Sequence, residues 1–409
     1  MINHINYSDP TRCFQRTGLR APPVRRPPGR ALPCGMAEPQ HTETAPPEPL
    51  RIAMVGCGVI GFVHAHGLGK LVEDGEAIAV AAADPSKVGR ERVGGVCKFG
   101  RFLTDGRTLA ADPDVDAVII TAPTTAHADL VRSAIAAGKP FFCEKPLATR
   151  FDLVSELTRE VLDSGVVAQV GFHSRCHPLY NALRRIVDTG EFGRPMGYTL
   201  RDDQFWPTGQ VVPGHSSWRS DKAQAGGGAL LEHSIHSADI LNWLFGPAER
   251  VYAATRNFFG YGVEDAAALT VEHKSGVVGN LVTIFNGMRG REERRLEVFF
   301  ENGVVEVTSD FMIGAKEDSF LSQRPDTAPH HHDVAAMREE FLDGLGVTRR
   351  DVYFYQYVAD RKWLRAIRAG GPATPGFADA FAAHALVEAA YRSAASRQPV
   401  DLVGDLASP

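Results

Sequence analysis

The run Arg51-Ile-Ala-Met-Val-Gly56-Cys-Gly58-Val-Ile-Gly61 constrains the fold of this chain more than any other segment. An apolar strand that ends in Gly-x-Gly-x-x-Gly and passes into a helical pattern lets the backbone approach a pyrophosphate, whose charge then rests on the helix N-terminus. Glycine-rich turns also close ordinary strand–helix junctions, so context has to decide. A second apolar run ends in Asp84, at the roughly 20-residue spacing where an acid accepts hydrogen bonds from a ribose diol and repels a 2′-phosphate. The alternative for Asp84 is a helix cap before Pro85. The expectation is a dinucleotide site built from Gly56, Gly58, Val59, Ile60, Gly61 and Asp84, with NAD preferred and NADP possible.

Around that turn, short β-branched runs alternate with helical patterns, which argues for a parallel sheet with helices on both faces. Strands are expected at 52–56, 77–84, 117–121, 140–144 and 166–172, with helices over 124–137 and 151–163. After about Pro178 strand-like stretches follow one another without helices, at 250–257, 267–272, 277–285, 296–300 and 304–308, the signature of a largely antiparallel sheet. Helical patterns return at 334–345, 351–369 and 378–396, the last two expected to pack back on the first domain. The fold class is α/β, a doubly wound parallel sheet followed by a second α/β domain.

Length and charge narrow the function classes. A chain of 409 residues exceeds the usual size of one core. Its net charge of -5 is spread without a basic stripe, which excludes nucleic acid and anionic membrane as partners, and no apolar run is long enough to span a bilayer. The six cysteines show no paired spacing and read as reduced thiols of a cytoplasmic protein. The first 50 residues hold ten of the 26 prolines, and the first 36 carry six arginines against one acid, Asp9. Residues 1–49 are therefore expected to be a disordered tail or an upstream extension of the reading frame, with Met36 as the start.

Three further segments carry chemistry. Thr121-Ala-Pro123-Thr-Thr-Ala-His127 ends a strand and enters a helix, placing Pro123 and His127 beside the cofactor crevice, outside the carboxyl ends of the strands. His127 has two readings, contact with cofactor or satisfaction of a local backbone group. Glu144-Lys145-Pro146 terminates a buried strand, where a lysine can donate to a substrate oxygen and stabilise charge that builds on it; the plainer alternative is a surface ion pair of Glu144 with Lys145. In Gly226-Gly227-Gly228 through Trp243, helical spacing is expected to stack Glu232, His236 and Asp239 along one face, a histidine between two carboxylates suited to carry a proton. No metal site is expected, because positions 232 and 233 diverge by about 100° on a helix. Trp206 and Trp218 can stack on a sugar ring or fill core. His330-His331-His332 reads as a polar loop leading to a helix cap.

These elements, with Gly171-Phe-x-x-Arg175-x-x-Pro178 and Trp218-Arg219, resemble the glucose-fructose oxidoreductase, inositol dehydrogenase and MocA family over about Leu50 to Leu402. The resemblance implies an N-terminal Rossmann domain (50–175), a C-terminal domain with an open-faced sheet (176–375) and a C-terminal helix and tail (376–409). It implies reversible oxidation of a secondary hydroxyl on a sugar, sugar derivative or cyclitol, with Lys145 on the reacting oxygen, His236 as acid/base and Glu232 beside them. Glu232 departs from the aspartate common in the family's polyol enzymes, which leaves an inositol substrate open. Arg175, Trp218 and Asp239 are the expected substrate-binding residues. Glu144 and Lys145 are expected to border the cofactor, and the open sheet face to make a homodimer or homotetramer. The rival expectations are a redox-silent dinucleotide and sugar sensor or co-regulator, and a bond-cleaving enzyme that leaves no net NADH.

Overall fold

The computed structural model describes residues 48–204, 217–285, 293–309, 318–349, 351 and 354–409. The expected N-terminal tail apart from its last two residues, and Trp206, lie outside them. Six parallel strands form the first sheet: β1 (Leu50–Val55), β2 (Ala77–Ala83), β3 (Arg101–Leu103), β4 (Ala117–Ile120), β5 (Phe141–Cys143) and β6 (Ala168–Val170). Their order is β3-β2-β1-β4-β5-β6. The direction of winding reverses between β1 and β4, so a crevice opens at their carboxyl ends. Ile52–Val55 of β1 and all of β4 and β5 are buried without alternation, because helices cover both faces. Those helices are α1 (Val59–Glu73), α2 (Lys87–Gly94), α3 (Thr124–Ala136) and α4 (Phe151–Ser164).

The second sheet has nine strands: β7 (Pro195–Gln204), β8 (Ala248–Arg256), β9 (Ala266–His273), β10 (Val278–Phe285), β11 (Arg294–Phe300), β12 (Gly303–Ser309), β13 (Ser319–Gln323), β14 (His330–His331) and β15 (Val400–Asp401). Their order is β14-β13-β12-β11-β7-β10-β9-β8-β15. Every pairing is antiparallel except β7 with β10. Burial alternates residue by residue along β9 and β10, so one face is core and the other carries exposed Val278, Val282 and Ile284. The histidine run differs from its expected loop: His330 and His331 pair with β13 as a short edge strand.

The remaining helices are α5 (Pro178–Thr189), α6 (Lys222–Ala225), α7 (Ile235–Phe245), α8 (Val334–Gly344), α9 (Tyr355–Ala369) and α10 (Phe377–Ser396). Asp333 caps α8 by accepting from the amides of Ala335 and Ala336. The α9 helix packs on α1, whereas α10 lies across β8, α7 and α4 and so touches both sheets' helical layers. Phe377, Phe381 and Leu386 of α10 join the same core as Val118 and Phe141 of the first sheet and Leu269 of the second.

Candidate active site

The glycine turn follows from what each position must avoid. A Cβ on Gly56, whose φ is +104°, would lie 2.4 Å from the carbonyl carbon of Thr121, and one on Gly61 would lie 2.3 Å from the Gly56 oxygen. Gly58 has nothing within 4 Å of its would-be Cβ, so its backbone borders open space. Gly58 is also the N-cap of α1, and no side chain caps that helix. An uncapped 15-residue helix behind an unobstructed glycine is a site for an anion. Asp84 accepts from the Cys57 amide at 2.7 Å and from the Ser86 amide at 2.7 Å. The cap of α2 is Ser86, which accepts from Gly89, so Asp84 braces the glycine turn instead of capping a helix. These residues fit a dinucleotide.

The two readings of His127 are separated by its contacts. Its ring nitrogens lie 2.9 Å from the carbonyl oxygens of Pro146 and Ala122, and burial holds the imidazole below its ordinary range. Both nitrogens face backbone carbonyls, which favours the reading as satisfaction of local backbone groups, and His127 braces the start of α3 against the Lys145–Pro146 turn. Pro123 stands exposed at the N-cap of α3.

Glu144 is buried, and a Cβ on Gly171 would meet its Oε1 at 2.3 Å, so glycine at 171 is required for the carboxylate to lie there. The carboxylate accepts from the Lys145 amide at 3.1 Å and meets His64 Nε2 at 3.2 Å. The lysine side chain does not turn back to form the expected alternative ion pair. It reaches across to the second sheet's side, where Nζ donates to the Glu232 carbonyl oxygen at 2.7 Å and lies 4.0 Å from its carboxylate.

The histidine segment departs from the expected continuous helix. Ala229–His233 winds as a π-turn, and α7 begins only at Ile235. Glu264 sets that turn by accepting from the amides of Gly228 and Leu230, while a Cβ on Gly228 would come within 1.8 Å of the Glu264 carbonyl oxygen. The wider turn breaks the spacing that would have aligned Glu232 with His236. Glu232 instead accepts from Arg219 Nε at 2.7 Å. Asp239 is held by Arg175 through two hydrogen bonds of 2.8 and 2.6 Å, and Arg175 also reaches Asp379 at 3.1 Å. Asp239 is fully buried, and burial, partly offset by Arg175, raises its carboxyl to about 7. Arg175 and Asp239 therefore pair with each other inside the wall of the site, which corrects their expected role as substrate contacts. Trp218 packs beneath the Arg219 guanidinium at 4.4 Å.

With both carboxylates taken, His236 has no acidic partner among the described residues. It is buried, its Nδ1 has no hydrogen-bond partner, and its ring lies edge-on to His173 at 4.3 Å and to Phe172 at 5.9 Å. Burial, then the fields of His173 and Lys145, hold His236 well below its ordinary value, and burial brings His173 to about 3. Both imidazoles are neutral near pH 7, and the lysine charge acts directly on His236. Sequence reasoning missed His173, Asp202 and Arg294. Asp202, on β7, accepts from His233 at 2.9 Å, Ser237 at 2.6 Å and Arg294 at 2.9 Å, anchoring the histidine segment to the central strand. His173 was within reach of the strand-end rule applied to Thr121, since it follows β6 at the same edge.

Residues 50–172 match the model of the oxidoreductase family with an NAD-binding Rossmann fold, and residues 180–306 match the GFO/IDH/MocA C-terminal domain. The chain is 31% identical to scyllo-inositol 2-dehydrogenase (NAD(+)) of Bacillus subtilis over 57% of its own length and 66% of that protein. It is 29% identical to inositol 2-dehydrogenase of Burkholderia multivorans over 72% of its length and 86% of that protein. Among solved structures, a levoglucosan dehydrogenase in complex with NADH shares the fold with a TM-score of 0.76 at 22% identity, covering 87% of this chain and 99% of that one.

Proposed function

This chain belongs to the GFO/IDH/MocA family of oxidoreductases, and from that premise we propose that it interconverts a secondary hydroxyl and a ketone on a cyclitol, sugar or sugar derivative. The observation that carries the reading is the approach of the Lys145 amine to a buried neutral imidazole, close enough for its charge to act on His236. A general base must be unprotonated at working pH, and His236 is held so by its surroundings. Lys145 would exchange its backbone acceptor at Glu232 for the reacting oxygen, steadying the charge left when His236 takes the hydroxyl proton. Glu232, fixed by Arg219, would keep the amine's approach narrow.

NAD, when bound, supplies the acceptor for the hydride leaving the substrate carbon. The glycine turn would hold its pyrophosphate at Gly58 and the start of α1, with Val59 and Ile60 lining the entry. Asp84 would take the ribose diol and disfavour a 2′-phosphate. Residues 50–175 form the cofactor domain in this reading, 176–375 the substrate domain, and 376–409 the closing helix and tail. The exposed apolar stripe of Val278, Val282 and Ile284 supports a homodimer or homotetramer joined through the open sheet. Among the described residues no helix is long and apolar enough to cross a membrane, and Cys57, Cys97, Cys143 and Cys176 are free, which supports a reducing, cytoplasmic setting.

The test is a panel of cyclitols, pyranoses and anhydrosugars offered to the full chain with NAD or NADP, read by absorbance of the reduced cofactor. Turnover with NAD on at least one cyclitol or sugar is expected, with weaker use of NADP that improves in Asp84→Ser. Tight binding of NAD and a sugar without turnover would replace the enzyme reading by a sensor.

A further inference from the structure

Behind Lys145 lies a buried ionic chain that the reaction scheme does not use. His64, on the second turn of α1, is wholly buried. Its Nδ1 lies 2.9 Å from Asp360 Oδ1 on α9, and its Nε2 lies 3.2 Å from Glu144 Oε1. Glu144 in turn receives the backbone amide of Lys145 at 3.1 Å. The ring is packed edge-on to Phe142 at 4.9 Å. Both ring nitrogens face carboxylates, and only an imidazolium donates to both at once. With both acids ionised, a neutral ring would leave one carboxylate oxygen facing a lone pair in a dry interior; burial raises the Asp360 carboxyl, and His64 offsets part of that rise.

We propose that His64 is a positioning residue for Lys145, clamping Glu144 from behind so that the lysine amine stays aimed across the cleft at the reacting oxygen. The inference rests on the reading of Lys145 given above. The charges balance if His64 and Lys145 are cationic and Asp360 and Glu144 anionic, which explains how two buried acids are tolerated beside a catalytic cation. Burial alone would lower the His64 imidazole, but Asp360 and then Glu144 reverse that and raise it to about 10. His173 is the further titratable group close enough to feel it. The clamp also joins three elements: α1, whose N-terminus faces the cofactor space, the Lys145 turn after β5, and α9. The cofactor helix and the lysine are thereby set by one side chain.

Three measurements test it. In the full chain without cofactor, labelled for imidazole nitrogen NMR, His64 is expected to remain doubly protonated at pH 8.5; a neutral His64 ring at that pH overturns the clamp and needs no variant. In His64→Gln, acetylation of Lys145 by a small acylating reagent, read by peptide mass spectrometry, is expected to rise several-fold relative to Lys139, which is anchored to the Val115 carbonyl. An equal rise at both lysines would mean a general loosening and would also overturn it. These two readouts stand whether or not a substrate is found. On a panel substrate, His64→Gln is expected to lower kcat roughly tenfold or more, with KM and NADH affinity within about twofold, and to cost nothing further in a Lys145→Ala background. Full additivity with Lys145→Ala would overturn the proposal.

Discussion

His64 and His236 are both buried imidazoles, one tied to the backbone of Lys145 through Glu144 and the other lying in the field of its amine. Their surroundings set them to opposite charge states. His64 sits between two carboxylates and is raised to about 10, whereas His236 has an orphan Nδ1, a second imidazole edge-on and cations nearby, and is held well below its ordinary value. A histidine flanked by acids looks like a proton carrier on paper. Here that arrangement makes a fixed cation, and the acid-poor histidine is the one free to accept a proton at neutral pH.

The largest way to break this comparison is to remove the two groups assigned to the reaction. Lys145→Ala and His236→Ala should each lower turnover on a panel substrate by about 10²-fold or more, the scale of losing a positioned proton-transfer group. NAD affinity, measured by fluorescence of the reduced form, should survive in His236→Ala. Near-wild-type turnover in either variant would remove that residue from the scheme.

A smaller effect sharpens the contrast through stability. A group raised in the folded state stabilises fully below its unfolded value and loses that contribution as pH rises through the folded value. His64 should therefore give a stability that declines between its ordinary 6.5 and about 10, on the order of 1.4 kcal/mol per pH unit at most. His236 acts with the opposite sign: below 6.5 the unfolded chain takes up a proton that the folded one refuses, so stability falls with falling pH. Urea midpoints across pH should show His64→Gln flattening the alkaline decline. His236→Gln should reduce the acid decline, with the other histidines lowered by burial, His66, His127, His173, His273 and His384 among them, retaining their own share. The same slopes in both variants as in wild type would mean that neither imidazole differs from its unfolded state.

Much of this was legible in the sequence. The run Arg51 to Gly61 and the alternation of short apolar runs placed β1, β2, β4, β5 and β6 to within a residue or two, because strands buried on both faces have a composition of their own. The β9 and β10 strands were visible through alternation alone. The β7 strand was not. Arg201, Asp202 and Asp203 fall together in its middle, and Asp202 can be buried in a central strand only because Arg294, His233 and Ser237 come to it from 31 or more residues away. The pairing of Glu232 with Arg219 and of Asp239 with Arg175 was hidden for the same reason: periodicity shows which residues share a face, not which distant cation claims them. The π-turn at Ala229–His233 was hidden as well, since it depends on the Glu264 carboxylate, not on the local pattern.

The smallest effect expected bears most directly on whether His236 truly lacks an acid. The pH dependence of kcat/KM reports the free enzyme's base, and with His236 neutral and unpartnered its acid limb should fall below pH 6.5. If Glu232 were its partner, as helical spacing first suggested, the carboxylate would raise the imidazole and carry the limb upward. Glu232→Gln separates the two. Arg219 already holds Glu232 at 2.7 Å, so the substitution should leave the limb within about half a pH unit of wild type, whatever it does to the rate. A downward shift of a unit or more in Glu232→Gln would mean that the carboxylate leaves Arg219 for His236 in the working enzyme. His236 would then be acid-paired like His64, differing from it only in having one carboxylate where His64 has two.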